Sequence, residues 1–222
     1  MSFPPASVRP PEAPRDCPLC PRQVAYRNEN RAANPDWFNG AVPSWGDEAA
    51  RLVVVGLAPG RMGANRTGRP FTGDYAGVLL YDTLKKFGLA EGAYEELPDD
   101  SLRLKGVAIV NSVKCVPPQN KPTPQEIATC TGTYFQPSLA ALRNVRVMVA
   151  LGKIAHDAAV RAVGMKLSAA PFGHLAEHRL PDGRILIDSY HCSRYNQNTN
   201  RLTAAMFEQV FERALQLAPG VR

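Results

Sequence analysis

The sequence lacks both a long hydrophobic run and a recognisable leader. None of its apolar stretches approaches the roughly 20 residues that a membrane-spanning helix needs, which excludes an integral membrane protein. The amino-terminal stretch MSFPPASVRPPEAP is rich in proline and has no apolar h-region, so a secretory signal is not expected. We therefore expect a soluble cytosolic protein. Disulfides are rare in that compartment, so the five cysteines need another explanation.

Internal repeats and long linkers are also absent. The 222 residues are 45% hydrophobic, which is enough apolar material to fill a core and excludes wholesale disorder. This length fits one large α/β domain better than two small ones. We expect a flexible proline-rich arm over residues 1–14 and a single folded domain over residues 15–222.

Acidic residues are scarce in the second half of the chain. Residues 101–222 contain 15 Lys and Arg against seven Asp and Glu, whereas residues 91–100 contain five acids and no base. A segregated basic surface suits a polyanion such as nucleic acid, because phosphate contacts are electrostatic and largely independent of base sequence. The alternative is a mildly basic protein that has no such partner.

Hydrophobic patterning predicts strands that alternate with helices. Continuous apolar runs at 51–58, 107–113 and 145–151 are typical of buried parallel strands. This alternation predicts an α/β domain with a mostly parallel central sheet and helices on both faces. Helices are predicted at about 78–87, 123–143, 153–163 and 202–217, and a hairpin or short turn is predicted between 174–180 and 184–190.

Four of the five cysteines form two pairs. Cys17 and Cys20 make a Cys-x-x-Cys motif, and Cys115 and Cys130 make a wider pair. Two such pairs suit zinc or an iron–sulfur cluster. The wider pair straddles a proline-rich loop and a helix start, not a zinc-ribbon hairpin, which favours the cluster. Unrelated buried thiols are the alternative, and Cys192 has no evident role.

Polar loops follow the predicted strands at the sheet edge where α/β proteins form their sites. In the glycine-rich loop 59–74, Phe71 is either a stacking face for a base or a core plug, and Asp74 is either a catalytic carboxylate or a helix N-cap. Asn111 can pair with a ligand edge or satisfy local backbone. His191 can donate to a developing anion or serve as a structural hydrogen-bonding group.

Taken together, these loops resemble the iron–sulfur uracil-DNA glycosylases, and the long first motif is similar to their type-b (family-five) branch. The motifs and cysteines span residues 17–201, so the resemblance is far more specific than any single loop. The three motifs are Gly56-Leu-Ala-Pro-Gly60 continuing to Gly63-Ala-Asn-Arg-Thr-Gly-Arg-Pro-Phe-Thr-Gly-Asp74, Asn111-x-x-Lys-Cys-x-Pro-Pro-x-Asn-Lys121, and His191-x-Ser-Arg194.

The resemblance implies a four-stranded parallel α/β/α fold and a structural [4Fe–4S] cluster on the four paired cysteines. It also implies a monofunctional glycosylase that flips uracil out of DNA and excises it, leaving an abasic site in base excision repair. The expected partner is DNA that contains uracil or another deaminated base. We expect the enzyme to be a monomer in the prokaryotic cytosol or nucleoid.

The resemblance also assigns residues to the site. It implies that Phe71 stacks on the flipped base, that Asn111 reads its pairing edge and that His191 stabilises negative charge at uracil O2. Gly56 and Ala58 would line the same base pocket. The candidates for contacts with DNA, whose alternative is ordinary solvated side chains, are Asn65, Arg66, Arg69, Lys114, Ser193, Arg194, Tyr195, Asn196 and Arg201.

One departure concerns the first motif, where related enzymes carry an acid in or beside it. This chain has Leu57 and Ala58 there, which moves water activation toward Asp74. A site with one carboxylate that relies on leaving-group stabilisation predicts tolerance of hypoxanthine or xanthine. A non-catalytic protein that captures uracil or damaged bases, and an iron–sulfur redox protein, are the alternative functions.

Overall fold

Short apolar strands form the centre of the molecule. The computed structural model describes residues 11–220, so most of the predicted flexible arm lies outside the described residues. Valine, leucine and isoleucine dominate the longer strands, as expected for strands buried on both faces. The strands are β1 (Trp45–Gly46), β2 (Leu52–Gly56), β3 (Ala90–Glu91), β4 (Arg103–Leu104), β5 (Val107–Asn111), β6 (Val147–Leu151), β7 (Glu177–Arg179) and β8 (Ile185–Ser189).

Six of these strands form a mixed sheet in the order β1-β5-β2-β6-β8-β7, while β3 pairs with β4 separately. The four central strands, β5, β2, β6 and β8, are parallel, which confirms the predicted parallel core. The structure adds one antiparallel strand at each edge, since β1 pairs with β5 and β7 pairs with β8. With only two residues, β1 carries no strand pattern in the sequence.

Helices cover both faces of this sheet, as predicted. The helices are α1 (Pro21–Ala33), α2 (Ala64–Thr67), α3 (Tyr75–Lys86), α4 (Pro124–Cys130), α5 (Gln136–Ala141), α6 (Lys153–Ala162), α7 (Arg194–Asn198) and α8 (Ala204–Leu217). Leu84 of α3 and Phe207 of α8 are buried on one face, and Leu139 of α5 and Ala159 of α6 are buried on the other. None of the helices within residues 11–220 is long and apolar enough to cross a membrane.

Two helical regions differ from the prediction. The capping box forms as expected, because Thr123 and Glu126 each accept the backbone N–H of the other. The helix does not continue unbroken to residue 143, however, because a π-helical segment, Thr131–Phe135, interrupts it. Helix α1 escapes prediction from hydrophobic spacing, since the residues that it buries are polar.

A buried ion pair anchors the loop that follows β2. Arg69 is 1% exposed and donates hydrogen bonds of 2.7 and 2.8 Å to the Asp100 carboxylate. Its guanidinium also lies 4.8 Å from the centre of the Trp45 ring. The predicted contact of Arg69 with DNA is therefore wrong. Burial alone would raise the pKa of Asp100, but the hydrogen bonds from Arg69 and nearby backbone hold that pKa below its usual value.

Removing one member of this pair should destabilise the fold. For Arg69→Met we expect the free energy of unfolding to fall by about 3–5 kcal/mol, because a carboxylate is left uncompensated in the interior. The double variant Arg69→Met/Asp100→Leu should recover much of that loss. Arg213→Met, which breaks an exposed pair with Glu177, should cost far less. Denaturant unfolding measures all three, and equal losses in the single and double variants would contradict the ion-pair explanation.

Candidate active site

A pocket of about 610 Å³ opens at the carboxyl ends of the parallel strands. Its walls come from the segments after β2, β5, β6 and β8, at the sheet edge where the sequence predicts a site. The volume is typical of small-molecule sites. Five of the residues predicted for catalysis or base binding line it, although they are far apart in the sequence: Ala58, Phe71, Asp74, Asn111 and His191.

Asn111 ends β5 directly opposite Gly56, the last residue of β2. Asn111 is 3% exposed, and its Oδ1 is buried without a hydrogen-bond partner among the described residues. A Cβ at Gly56 would lie 2.2 Å from that oxygen, so only glycine leaves room for the amide. Because an unpaired buried acceptor is costly, this oxygen suits a ligand that brings its own N–H donor.

Phe71 lies against the same end of β2. Its backbone is left-handed, with a φ of 51°, and the Tyr94 hydroxyl donates to its carbonyl at 3.1 Å. The centre of its ring lies 6.2 Å from that of His191, with 29° between the ring planes. A Cβ at Gly56 would also approach the Phe71 ring to 3.0 Å. The ring is a member of the core and a wall of the pocket at once.

Asp74 is the N-cap of α3, as one of the two interpretations of the sequence predicts, and it also lines the pocket. Its Oδ1 accepts the backbone N–H of Gly77 at 3.2 Å. A Cβ at Gly63 would lie 2.3 Å from its Oδ2, so the glycine-rich loop closes tightly over this carboxylate. Burial raises the pKa of Asp74, and the N–H groups at the start of α3 oppose that effect.

His191 is half-buried in the pocket wall, two residues beyond β8. Burial lowers its pKa to about 4, so the imidazole is neutral at physiological pH and can donate one hydrogen bond. The Nδ2 of Asn196 donates to the His191 carbonyl at 2.8 Å, which fixes the loop that carries the ring. The pocket therefore combines a neutral donor, a carboxylate, an unpaired amide oxygen and an aromatic face.

The last loop presents exposed groups beside the pocket. Ser193 caps α7, and both Ser193 and Arg194 line the pocket. Tyr195 is 72% exposed. Arg201 is exposed, and its guanidinium lies 4.8 Å from the centre of the Tyr190 ring. A cationic and aromatic rim of this kind can meet a nucleic-acid backbone.

Two predicted contacts with DNA are instead in the interior. Asn65 is 1% exposed, and its Nδ2 donates to the Asn39 side chain at 3.0 Å. Lys114 is 1% exposed, and its Nζ donates to the Ser44 hydroxyl at 2.9 Å. Direct contact with DNA is therefore wrong for both side chains. Arg66 is half-buried and keeps access to the surface.

The predicted loops omit one wall of the pocket, which lies at the start of α6. Lys153 and Ile154 line the pocket, and the preceding Gly152 has a φ of 93°. Tyr75, at the start of α3, also lines it and is 41% exposed. The general rule that every parallel strand contributes the loop at its carboxyl end would have found the turn after β6.

The four paired cysteines line a second, small cavity. The Tyr134 hydroxyl lies 3.5 Å from the Sγ of Cys17, and the backbone N–H of Lys114 donates to the Sγ of Cys130 at 3.3 Å. Sulfur, hydroxyl and backbone amide groups therefore surround this cavity. The cysteines are Cys17, Cys115 and Cys130, which are buried, and Cys20, which is half-buried.

The chemistry of these thiols fits a metal centre. Burial raises the pKa of Cys115 to about 12 and that of Cys130 to about 11, and neighbouring thiols add to the effect. Positive charge near Cys115 and Cys130 would therefore favour their thiolate forms. Iron or zinc supplies such charge, and both accept four sulfur ligands. Cys192, by contrast, is buried in the main core as a small apolar side chain.

Sequence comparison gives these two sites a family context. A profile of the Uracil DNA glycosylase superfamily matches residues 43–215. The type-5 uracil-DNA glycosylase of Thermus thermophilus is 49% identical over 208 residues, covering 91% of this chain and 94% of that protein. The type-5 enzyme of Mycobacterium bovis is 39% identical over 209 residues, covering 91% and 78%.

A type-4 uracil-DNA glycosylase from Archaeoglobus fulgidus is 41% identical over 115 residues, which is only 51% of this chain and 49% of that protein. The type-5 similarity thus covers 91% of the chain, whereas the similarity to this type-4 enzyme covers about half of it. With its α/β fold and the profile match, the chain belongs to the uracil DNA glycosylase superfamily, and its type-5 members are relatives along most of its length.

Proposed function

We propose that this protein is a monofunctional uracil-DNA glycosylase, which leaves an abasic site for base excision repair. The observation that carries the proposal is the unpaired, buried Oδ1 of Asn111 in a pocket shared with His191 and Asp74. Such an acceptor suits the N3–H of a uracil that enters from outside. The type-5 names of the relatives support the same substrate.

The proposed substrate enters as an extrahelical base, because a base inside a duplex must leave the stack before its glycosidic bond can be attacked. The Phe71 ring would stack on that base. Asn111 would accept the N3–H with its Oδ1 and donate to O4 with its amide nitrogen. Gly56 and Ala58 would border the base from the end of β2.

In the proposed reaction, a water oxygen bonds to C1′ of the deoxyribose while the bond from C1′ to N1 of uracil breaks. The electron pair of the broken bond leaves with the base as the uracil anion. The attacking water loses one proton and the uracil anion takes up one proton, so the reaction releases no net charge. Neutral His191 would donate a hydrogen bond to uracil O2 as negative charge develops there. Asp74 would stabilise the sugar cation or orient the water.

Exposed groups beside the pocket would hold the DNA. Arg66, Arg194 and Arg201 would contact phosphates, with Ser193 and Asn196 in the same loop supplying polar contacts. Tyr195, which is 72% exposed, would enter the gap that the flipped base leaves. We further propose that the protein is a monomer that works in the prokaryotic cytosol, where the DNA lies.

We further propose that the four cysteines hold a structural [4Fe–4S] cluster. When bound, it ties the segment before α1 to the segment around Cys115, and it supplies no electrons because hydrolysis transfers none. Cys115 lies four residues after Asn111. The backbone N–H groups of the intervening Ser112 and Val113 donate to the carbonyls of Gly56 and Leu57 at the end of β2. Ligation of Cys115 would therefore stabilise the loop that carries Asn111.

The proposal is tested by incubating excess enzyme with a uracil-containing duplex, followed by alkaline strand scission. We expect strand breaks at the uracil position. Binding without breaks would instead identify a protein that captures damaged bases without turnover. A redox function would be favoured if cluster reduction, and no DNA cleavage, were observed.

Two substitutions test the catalytic assignment. Asp74→Asn should lower the single-turnover rate of uracil excision about 10²–10⁴-fold, because asparagine keeps the helix cap but removes the charge. His191→Ala should lower the rate about 10²–10³-fold through loss of the donor to O2. DNA affinity and thermal stability should change little.

The wild-type rate should fall at acidic pH as Asp74 takes up a proton, while His191 stays neutral down to about pH 4.

The matched control is Thr203→Ala, which removes the N-cap of α8 outside the pocket. It should retain the wild-type rate, which would show that loss of a helix cap elsewhere in the fold does not lower excision. Unchanged rates in both Asp74→Asn and His191→Ala would overturn the site assignment.

A panel of oligonucleotides tests the range of bases. With Leu57 and Ala58 in place of an acid, the site relies on leaving-group stabilisation and one carboxylate, so we expect release of hypoxanthine or xanthine besides uracil. Excision rates on duplexes with uracil, hypoxanthine, xanthine or mismatched thymine measure this range. Strict specificity for uracil would contradict the expected release of hypoxanthine or xanthine.

Chemical analysis tests the cluster. Protein purified without oxygen should contain iron and acid-labile sulfide in equal amounts, and Cys17→Ser should lose both together with the brown colour. Cys192→Ala is the matched control, because Cys192 lies in the main core and should not affect iron content. Zinc in place of iron would contradict the cluster proposal.

A further inference from the structure

All four histidines of this chain lie close to β8 or to the loop that follows it. His191 lines the pocket, while His156, His174 and His178 contact β8 or the residue that follows it. None of these three has a part in the proposed reaction. Buried polar groups of this kind are costly unless they are paired, so their arrangement needs a reason.

Asp188 in β8 is the centre of a buried hydrogen-bond network. Its Oδ1 lies 2.7 Å from Nδ1 of His156, and its Oδ2 lies 3.1 Å from Nε2 of His178. The backbone N–H of Gly173 donates to the same Oδ2 at 3.3 Å. On its other side, Nε2 of His156 lies 2.9 Å from the carbonyl oxygen of Ala170. The His156 and Asp188 side chains are 1% and 0% exposed.

These partners determine how many protons the pair of His156 and Asp188 holds. A carbonyl only accepts, so Nε2 of His156 carries a proton. The contact between Nδ1 and Oδ1 also needs a proton, because a bare nitrogen lone pair would otherwise face a carboxylate oxygen. The pair therefore holds two protons. One of them lies between Nδ1 of His156 and Oδ1 of Asp188, and the raised pKa of His156 favours its place on the nitrogen.

The network ties the segment 170–176 to β8. Besides the contacts made by the side chains of His156 and Asp188, the Leu175 N–H donates to the Asp188 carbonyl at 2.8 Å. The Asp188 N–H in turn donates to the Ala176 carbonyl at 3.0 Å. Side-chain and backbone bonds thus fasten the whole segment to one residue of the strand.

The same segment holds the residue before His191. Nδ1 of His174 accepts the backbone N–H of Tyr190 at 3.2 Å. The two rings also stack, with their centres 5.0 Å apart and 18° between their planes. Burial lowers the pKa of His174, which keeps Nδ1 free to accept this bond. Tyr190 is therefore fixed by a segment that Asp188 and His156 fasten in place.

We propose that His156 and Asp188 are positioning residues for His191. Their buried pair fastens the segment 170–176 to β8, and that segment holds Tyr190, so the backbone of His191 has one fixed position in the pocket wall. The inference rests on the proposed function only for its effect on excision. The hydrogen-bond network itself can be tested without DNA.

The surroundings of His156 give the network a pH dependence. The charged and titratable neighbours are Asp188 from β8, His178 from β7 and Asp157 from α6, the last paired with Lys153. Burial alone would lower the pKa of His156, but the hydrogen bond and charge of Asp188 raise it above its usual value. The stabilisation is therefore complete below about pH 6.5 and is lost as pH rises through the raised pKa.

Histidine spectra of the wild-type protein test the network directly. With ¹⁵N-histidine labelling, we expect one of the four histidines to keep protons on both ring nitrogens to a higher pH than free histidine does. Asp188→Asn should abolish that difference and shift the resonances of His191. Four histidines that all lose the second proton at or below the pH at which free histidine loses it, or an unmoved His191 signal in the variant, would overturn the proposal.

Excision kinetics test the effect on the site. His156→Gln and Asp188→Asn should each lower the single-turnover rate about 10–100-fold at unchanged DNA affinity, because small displacements of a catalytic group have effects of this size. The rate of the wild type should also fall as pH rises through the pKa of His156, and this dependence should be lost in both variants. Val160→Ala is the matched control on the same helix, since Val160 is buried outside the network.

The control should lose thermal stability and keep its rate. If Val160→Ala lost as much rate as His156→Gln and Asp188→Asn, the effect would come from core packing in general, and the proposal would be overturned. If the wild type excised no base at all, the proposed function would fail, while the histidine spectra would still decide whether the pair exists.

Metal analysis tests whether these side chains bind a metal ion instead. Donor atoms of His156, His178 and Asp188 lie within 4.8 Å of one another, a spacing that a divalent cation could also bridge. Stoichiometric zinc that disappears in Asp188→Asn would replace the hydrogen-bonded pair by a metal site and overturn the proposal. We expect the metal content to be the same in the variant and the wild type.

Discussion

The pairing of Gly56 with Asn111, where two parallel strands end side by side, is the contact on which the site depends. Because Gly56 has no side chain, the Asn111 amide can lie next to β2 with its Oδ1 unpaired, and the Phe71 ring can lie against both. Any larger residue would overlap the amide oxygen. The strands on either side are apolar and buried, so the sheet holds this polar group in a fixed place in the wall of the pocket. A ligand that brings a donor relieves this unsatisfied acceptor.

Each of the three loops that surround this contact is fastened by polar groups buried behind it. The ion pair of Arg69 and Asp100 holds the glycine-rich loop, and Lys114 with the cysteine cavity holds the loop after β5. Beyond β8, the pair of His156 and Asp188 lies behind the loop that carries His191. Loops are ordinarily the mobile part of an α/β domain, and buried, directional bonds of this kind restrict them to one geometry.

Several residues have two roles, which is why alternatives drawn from the sequence need not exclude each other. Asp74 caps α3 with one carboxylate oxygen and turns the other toward the glycine-rich loop in the pocket. Phe71 belongs to the core and to the pocket wall, and its left-handed backbone is held by the Tyr94 hydroxyl. A residue at the border between core and pocket contacts both, whereas a local sequence pattern indicates either a structural or a functional role.

Residue patterns alone predict the parallel strands, the helices on both faces, and the three loops that meet at the carboxyl edge, because buried strands and amphipathic helices leave a local pattern of residue types. They do not predict which cations reach the surface. Arg69 and Lys114 have the same charge as the exposed Arg194, and their partners Asp100 and Ser44 lie 31 and 70 residues away. The two-residue strand β1 and the polar helix α1 likewise have no pattern of their own. These features follow from the folded chain, since burial and pairing depend on segments that become neighbours when the sheet forms.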